Sequence, residues 1–319
     1  MEGLNMYLQS TWELTLIIDT DKFCKLFDRV YGVLECLDDN KYADYTFTPK
    51  GITVLYHDSQ YKKKIKLIVN PYRLLNSDEP DPQKLIRKLD KRINRYFNHK
   101  YTLNDFSLTG VTLATDINVH NKEKVAAYIK ILHRIGKVKG FSPSKDDWAN
   151  NNISFCLDGN SNGIKFMAYD LEGLCREQQS IAKKSSGILR VEVRLVKPKA
   201  IQSYTNEPIV SEQIADLCNM EQKIFLDTFM RVVPFGNFYK KDKAVEIVRA
   251  KMPDITIRRR MLRLLELVPE KKSLLLAQKA LNYRRIDEVM EAFSDIEVAP
   301  ITISKRHDIK QLKSLYSYL

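Results

Sequence analysis

Cysteine is scarce and unpatterned in this chain: Cys24, Cys36, Cys156, Cys175 and Cys218 make an odd number with no C-x-x-C spacing. That pattern excludes a disulfide framework and a cysteine-built structural zinc site, and it predicts the reduced thiols of a cytoplasmic protein. Apolar residues never approach the ~18 consecutive positions that a membrane span needs. The opening Met1-Glu2-Gly3-Leu4-Asn5 lacks the basic-then-apolar order of an export signal. No membrane is therefore expected as a partner. Internal repeats and low-complexity linkers are missing too, so no linker marks a domain boundary.

The 319 residues are 44% hydrophobic, enough for a real core in one large domain or two ordinary ones. The 52 Lys and Arg exceed the 40 Asp and Glu by 12 charges. An excess of that sign favours an anionic partner, nucleic acid first, through phosphate neutralisation and counterion release. It also suits a merely solvated positive face. Clustering favours the first reading, since residues 61–100 hold 12 basic against 4 acidic side chains and residues 251–285 hold 10 against 3.

Residue patterning predicts an α+β chain. Thr11–Asp19 alternates as a strand, and Asp21–Val33 has helical spacing. Strands follow at Gly51–Tyr56 and Lys64–Val69, where Asn70-Pro71 breaks pairing and starts a loop. A basic amphipathic helix is predicted over Pro82–Phe97, a strand over Leu108–Val119, and a helix over Lys122–Ile135. Ile153–Leu157 and Ile164–Tyr169 make a hairpin across Asp158–Gly163, a joint whose Gly and Asn residues accept positive φ. A helix over Leu171–Lys184 leads to the strand Ile188–Val196. Beyond about residue 200 only helices are predicted: Ser211–Met230, Lys241–Lys251, Ile255–Leu267, Lys271–Ala280 and Arg284–Phe293. The domains are accordingly set at 1–205 and 206–319. In the basic helix Ile257, Leu262 and Leu265 are expected to face the core, with Arg258, Arg259, Arg260 and Arg263 outside.

Three strand-borne groups could carry chemistry on a phosphodiester. Asp116, Asn118 and His120 alternate on one predicted strand, as do Arg190, Glu192 and Arg194 on another, so each set shares a face. Oxygen donors of this kind suit Mg²⁺ or Mn²⁺. Tyr169 supplies a phenol, which can hold one DNA end as a phosphotyrosine ester that remains reactive. Plainer explanations stand beside each: Asp116 ends a strand, His120 sits at an exposed loop, Glu192 pairs with its flanking arginines, and Tyr169 is one of 16 tyrosines.

Several short segments, in order, resemble the rolling-circle replication initiators of the filamentous-phage gene II/X type and their Gram-positive plasmid relatives. Lys66-Leu67-Ile68-Val69-Asn70-Pro71-Tyr72-Arg73-Leu74-Leu75 is similar to their strand, Asn-Pro, Leu-Leu segment. Thr112-Leu113-Ala114-Thr115-Asp116 is similar to their strand ending in Arg-Ile-Asp, without the arginine. Trp148, then Phe166-Met167-Ala168-Tyr169-Asp170-Leu171-Glu172, looks like their tryptophan and catalytic-tyrosine segment. Arg190, Glu192 and Arg194 match an Arg-x-Glu-x-Arg strand. The resemblance spans about residues 60–200. His57, His99, His120, His133 and His307 never form the His-x-His of an HUH metal site.

The resemblance implies an antiparallel-sheet, HUH-like nickase domain with a ferredoxin-like core, followed by a helical C-terminal region. It implies a site-specific single-strand endonuclease and strand transferase, with Tyr169 as nucleophile. Asp116, Glu192 and His120 would hold Mg²⁺ or Mn²⁺, and Arg176, Arg190 and Arg194 would contact phosphates. Arg258, Arg259, Arg260 and Arg263 would bind DNA electrostatically. Partners would be single- and double-stranded origin DNA and a host helicase and polymerase, in a bacterial cytoplasm. A conjugative relaxase, a non-enzymatic DNA-binding initiator or regulator, and an RNA-binding protein are the alternatives; no aromatic ribonucleoprotein motif supports the last.

Overall fold

The computed structural model describes residues 7–18, 43–45, 51–58, 63–97, 99–145, 151–177 and 185–319. The predicted helix Asp21–Val33, Trp148, Cys24 and Cys36 lie outside the described residues. Alternating burial makes β1 (Gln9–Ile18), with Trp12, Leu14 and Leu16 inside and Glu13 and Thr15 half-buried. β2 (Ala43–Tyr45), β3 (Ile52–Asp58) and β4 (Lys63–Val69) follow. At Asn70-Pro71, where a loop was expected, a short helix begins instead, α1 (Pro71–Leu75). The Asn70 side chain accepts from the Arg73 backbone N–H at 2.9 Å, and Pro71 fills a first-turn position that needs no donor. α2 (Pro82–Tyr96) repeats the device with Asp81 as its cap, burying Leu85, Leu89 and Ile93.

Next come β5 (Ser107–Asn118), α3 (Lys122–Ile135), β6 (Phe141–Pro143), β7 (Ser154–Gly159) and β8 (Ile164–Asp170). α4 (Leu171–Glu177), β9 (Ile188–Leu195), α5 (Pro198–Gln202) and α6 (Val210–Val232) continue the chain. The last part holds β10 (Phe238–Tyr239), α7 (Lys241–Lys251), α8 (Ile255–Lys271), α9 (Leu274–Leu281), α10 (Ile286–Asp295) and β11 (Gln311–Leu312). β10 and β11 pair antiparallel, Phe238 opposite Leu312, which corrects the expectation of no strand after about 200. Two-residue strands are too short to leave an alternation in the sequence.

The chain divides into two compact units, interleaved in sequence. One takes its residues from Leu8–Leu113 and Arg194–Ile224. Its strand order is β2-β3-β4-β1-β5, antiparallel where β2 meets β3, β3 meets β4 and β4 meets β1. The other takes its residues from Ala114–Val193 and Phe225–Leu319, with strand order β5-β9-β8-β7-β6. β5 and β9 thus contribute to both, and neither unit ends at 205/206. The functional division drawn there from sequence is a separate matter from compactness.

The second of these units holds all the strand-borne candidate groups except Arg194. Its core includes a run of rings: Phe155 to Phe166 at 6.3 Å between centroids, Phe166 to Phe229 at 6.2 Å, and Phe229 to Tyr316 at 5.0 Å. Those rings tie the hairpin β7–β8 to α6 and to the C-terminal residues. α3 buries Val125, Tyr128, Ile129 and Leu132 and stops at Gly136, whose φ of +58° and closeness to the Lys272 carbonyl leave no room for a side chain.

Candidate active site

β8 is buried from Phe166 through Asp170 without alternation, so both of its faces are covered. Tyr169 lies among Cys156 and Met167, with Leu171 and Leu174 packed against them. It is 5% exposed. Its hydroxyl donates to Glu192 Oε1 at 2.5 Å, and Glu192 is itself 5% exposed on β9. A buried carboxylate is tolerated only with such partners.

Arg190 stands two residues before Glu192. Its Nε and Nη2 donate to the two oxygens of Asp116, at 2.6 and 2.7 Å, in a forked pair between β9 and β5. The Asp116 hydrogen bonds hold the guanidinium charged beyond its ordinary range; burial opposes this, and the fields of Asp116, Tyr169 and Glu192 add to it. The four side chains therefore form one electrostatic group: a forked ion pair beside a phenol–carboxylate pair.

Other candidates stand elsewhere. His120 follows β5 with φ +55°, its backbone N–H donating to Asn118 Oδ1 at 2.9 Å, and it is exposed. Gly187, with φ +74°, backs this turn so closely that a Cβ would meet the Asn121 nitrogen at 2.8 Å, and its carbonyl accepts from Val119 N–H at 2.9 Å. Arg176 is exposed and paired with Glu172 one turn away on α4. Arg194 is half-buried and belongs to the other unit.

As arranged, these groups do not fit a divalent cation. Both Asp116 oxygens accept from Arg190, Glu192 Oε1 accepts from Tyr169, and no group of three His, Cys, Asp or Glu side chains able to hold a metal ion occurs among the described residues. Mg²⁺ and Mn²⁺ demand near-octahedral oxygen sets. Sequence reasoning gave Asp116 to a metal and Arg190 to phosphate, and missed that they answer each other; their 74-residue separation carried no signal.

α8 also differs from expectation. Its buried face is Met261, Leu264, Leu265, Leu267 and Val268, with Ile257 and Leu262 only half-buried. Arg258, expected outside, is half-buried and donates to the Met252 carbonyl at 3.1 Å. Arg260 lies over the Tyr283 ring at 5.0 Å, Arg263 pairs with Glu266 at 2.9 Å, and Arg259 is exposed.

No family model matches this chain, and no curated protein matches it. Among solved structures, the chain is similar to the rolling circle replication initiator protein from Geobacillus stearothermophilus, at 14% identity and a TM-score of 0.35, over 70% of this chain and 85% of that one. Likeness at that level fixes neither fold nor chemistry. No helix among the described residues is long and apolar enough to cross a membrane.

Proposed function

We propose that this protein initiates replication by nicking one DNA strand through Tyr169 and retaining the 5′ end as a phosphotyrosine. The observation that carries this reading is the 2.5 Å hydrogen bond from the Tyr169 hydroxyl to Glu192, with the Arg190 guanidinium beside it. A phenol of pKa ~10 needs a base to become a nucleophile at neutral pH, and a carboxylate within hydrogen-bond reach is the partner such chemistry requires. The Tyr169 oxygen attacks phosphorus while Glu192 takes its proton. The P–O3′ bond breaks, and the departing 3′ oxygen takes a proton from water to become a free 3′-OH. Arg190 offers positive charge to the oxyanions of the transition state. No step is routed through a metal ion, because the side chains as arranged do not make a site for one.

The motif order around Tyr169 supports the rolling-circle setting, with origin DNA as substrate and a host helicase and polymerase using the 3′-OH. A conjugative relaxase would carry out the same transesterification. An HUH-like, ferredoxin-like catalytic domain over 1–205 belongs to this proposal. The 5% exposure of Tyr169 favours a second reading, a non-enzymatic DNA-binding initiator in which the phenol serves to satisfy a buried carboxylate.

One variant separates the two. Tyr169→Phe removes a single oxygen, so a labelled single-stranded origin oligonucleotide should still bind while its covalent adduct, read on a denaturing gel, disappears. Adduct at the wild-type level in this variant would assign the nucleophile to another residue. No adduct from the wild-type chain, with divalent cation supplied, would leave the non-enzymatic reading.

A further inference from the structure

α3 and the segment Ile303–His307 enclose a cavity of about 310 Å³ that has no part in the Tyr169 reading. Its walls carry Lys130, Arg134, Arg306 and His307, with Ser304 between them, and no carboxylate lines it among the described residues. Lys130 and Arg134 are one helical turn apart, a like-charge pair that weakens a helix unless an anion answers it. Arg134 is half-buried and donates to the Thr302 carbonyl, which fixes its place on the cavity wall.

His307 reports the resulting field. Burial lowers its pKa first, and Lys130 and Arg134, with a smaller contribution from Lys240, lower it further against Asp308 alone. Lys240 reaches this region because it is bridged to Ile303 in parallel pairing. Three charges from two separate segments, α3 and Lys240, thus converge where one aspartate opposes them.

The floor is different in kind. Ala127, Ile131 and Ile303 are buried and apolar, so a cationic rim adjoins an apolar base. A volume at the lower end of ordinary small-molecule sites, ~300–1,000 Å³, takes one nucleotide-sized group and excludes a duplex. We propose that this cavity binds the phosphate of a single nucleotide unit, with the sugar or base against the apolar floor. The same chemistry could come from a free nucleotide or from one unit of a DNA strand.

The test uses the full chain and two ligands, deoxyadenosine 5′-monophosphate and a short fluorescent oligothymidylate. The pocket variant is Lys130→Gln with Arg306→Gln, both exposed positions. A control with the same loss of charge, Lys197→Gln with Lys199→Gln, sits in the other unit. The proposal expects the pocket variant to lose at least about tenfold in affinity for one ligand, the size of a lost charge-assisted hydrogen bond, while the control stays close to wild type. Loss confined to the oligonucleotide assigns a strand as the source, and loss with the monophosphate assigns a free nucleotide. In wild type, the ligand so assigned should shift the His307 ring resonances. The inference is overturned if pocket variant and control bind both ligands alike, or if inorganic phosphate binds as tightly as the monophosphate and the oligonucleotide shows no loss. Tyr169 is untouched in both variants, so adduct formation stands or falls separately.

Discussion

On β5, β8 and β9, Asp116, Arg190, Tyr169 and Glu192 answer one another across sequence separations of 74 and 23 residues, whereas along α8 Arg263 meets Glu266 three positions away and Arg259 faces water. The strands bring distant groups together and remove water from part of them. The helix leaves Arg259 and the Arg263–Glu266 pair in solvent, while Arg258 and Arg260 reach the Met252 carbonyl and the Tyr283 ring. Exposed pairs of the second kind are worth ~0–1 kcal/mol, while breaking a buried charged pair costs ~3–5 kcal/mol. One region should therefore govern reactivity and stability, and the other should govern attraction to an anionic partner.

The largest expected effect concerns the base. Glu192→Gln keeps the shape and the acceptor for the Tyr169 hydroxyl but cannot take its proton, so adduct formation should slow by ~10²–10⁴-fold. A rate within a few-fold of wild type would leave the pair structural and remove the main difference between the two regions.

Arg190→Met attacks the forked pair. It strips Asp116 of both hydrogen bonds and leaves Glu192 without its neighbouring positive charge. Because the Arg190 and Asp116 side chains remain 24% and 30% exposed, the expected loss in urea unfolding is roughly 2–3 kcal/mol, below the fully buried value. Arg259→Met should change stability by no more than ~0.5 kcal/mol. Equal losses in the two variants would break the comparison.

Glu221 sharpens it, being a carboxylate held by hydroxyl groups, with no cation acting on it among the described residues. Burial pushes its carboxyl from 4.5 up to about 7, against hydrogen bonds from Ser10 and Tyr72; the Tyr72 hydroxyl donates at 3.4 Å. Below about 4.5 the group is protonated whether folded or unfolded. As pH rises from there to about 7 the unfolded chain ionises first, so this stabilising difference is lost through that window. Glu221→Gln should be the more stable protein by ~2 kcal/mol above pH ~7, with the advantage shrinking towards pH ~4.5. Parallel pH profiles for variant and wild type would sink the idea.

The smallest effect on the fold belongs to α8. Changing Arg258, Arg259 and Arg260 together to Ala should flatten the salt dependence of DNA binding by up to ~2.7 log units per log salt, ~0.9 for each phosphate that is no longer neutralised. Arg258 also holds the Met252 carbonyl, so its share is measured best against the Arg259→Ala single variant. An unchanged slope would make these arginines a solvated face.

Element positions were largely legible because they rest on local signals. α7 runs over the predicted Lys241–Lys251, and β8 ends one residue past the predicted Tyr169. Asn70-Pro71 misled because an Asn cap and a Pro at the first position spell a helix start as readily as a strand end. β10 and β11 were unreadable at two residues each. In the site, alternation on β5 and β9 put Asp116 and Arg190 on faces that could meet, but nothing in the sequence said that they would choose each other. The pocket at Lys130 and Arg306 was equally hidden, since its members come from chain segments about 170 residues apart.

By itself the sequence determined an α+β chain with one hairpin, an excess of positive charge, and which side chains share a strand face, because periodicity and capping are properties of neighbours. Tertiary structure alone decided that Tyr169 is buried against Glu192, that Arg190 occupies both oxygens of Asp116, and that His120 stands outside that group. Partner choice depends on which strands lie side by side and how much water they exclude, and that is settled only when segments far apart in the chain are packed.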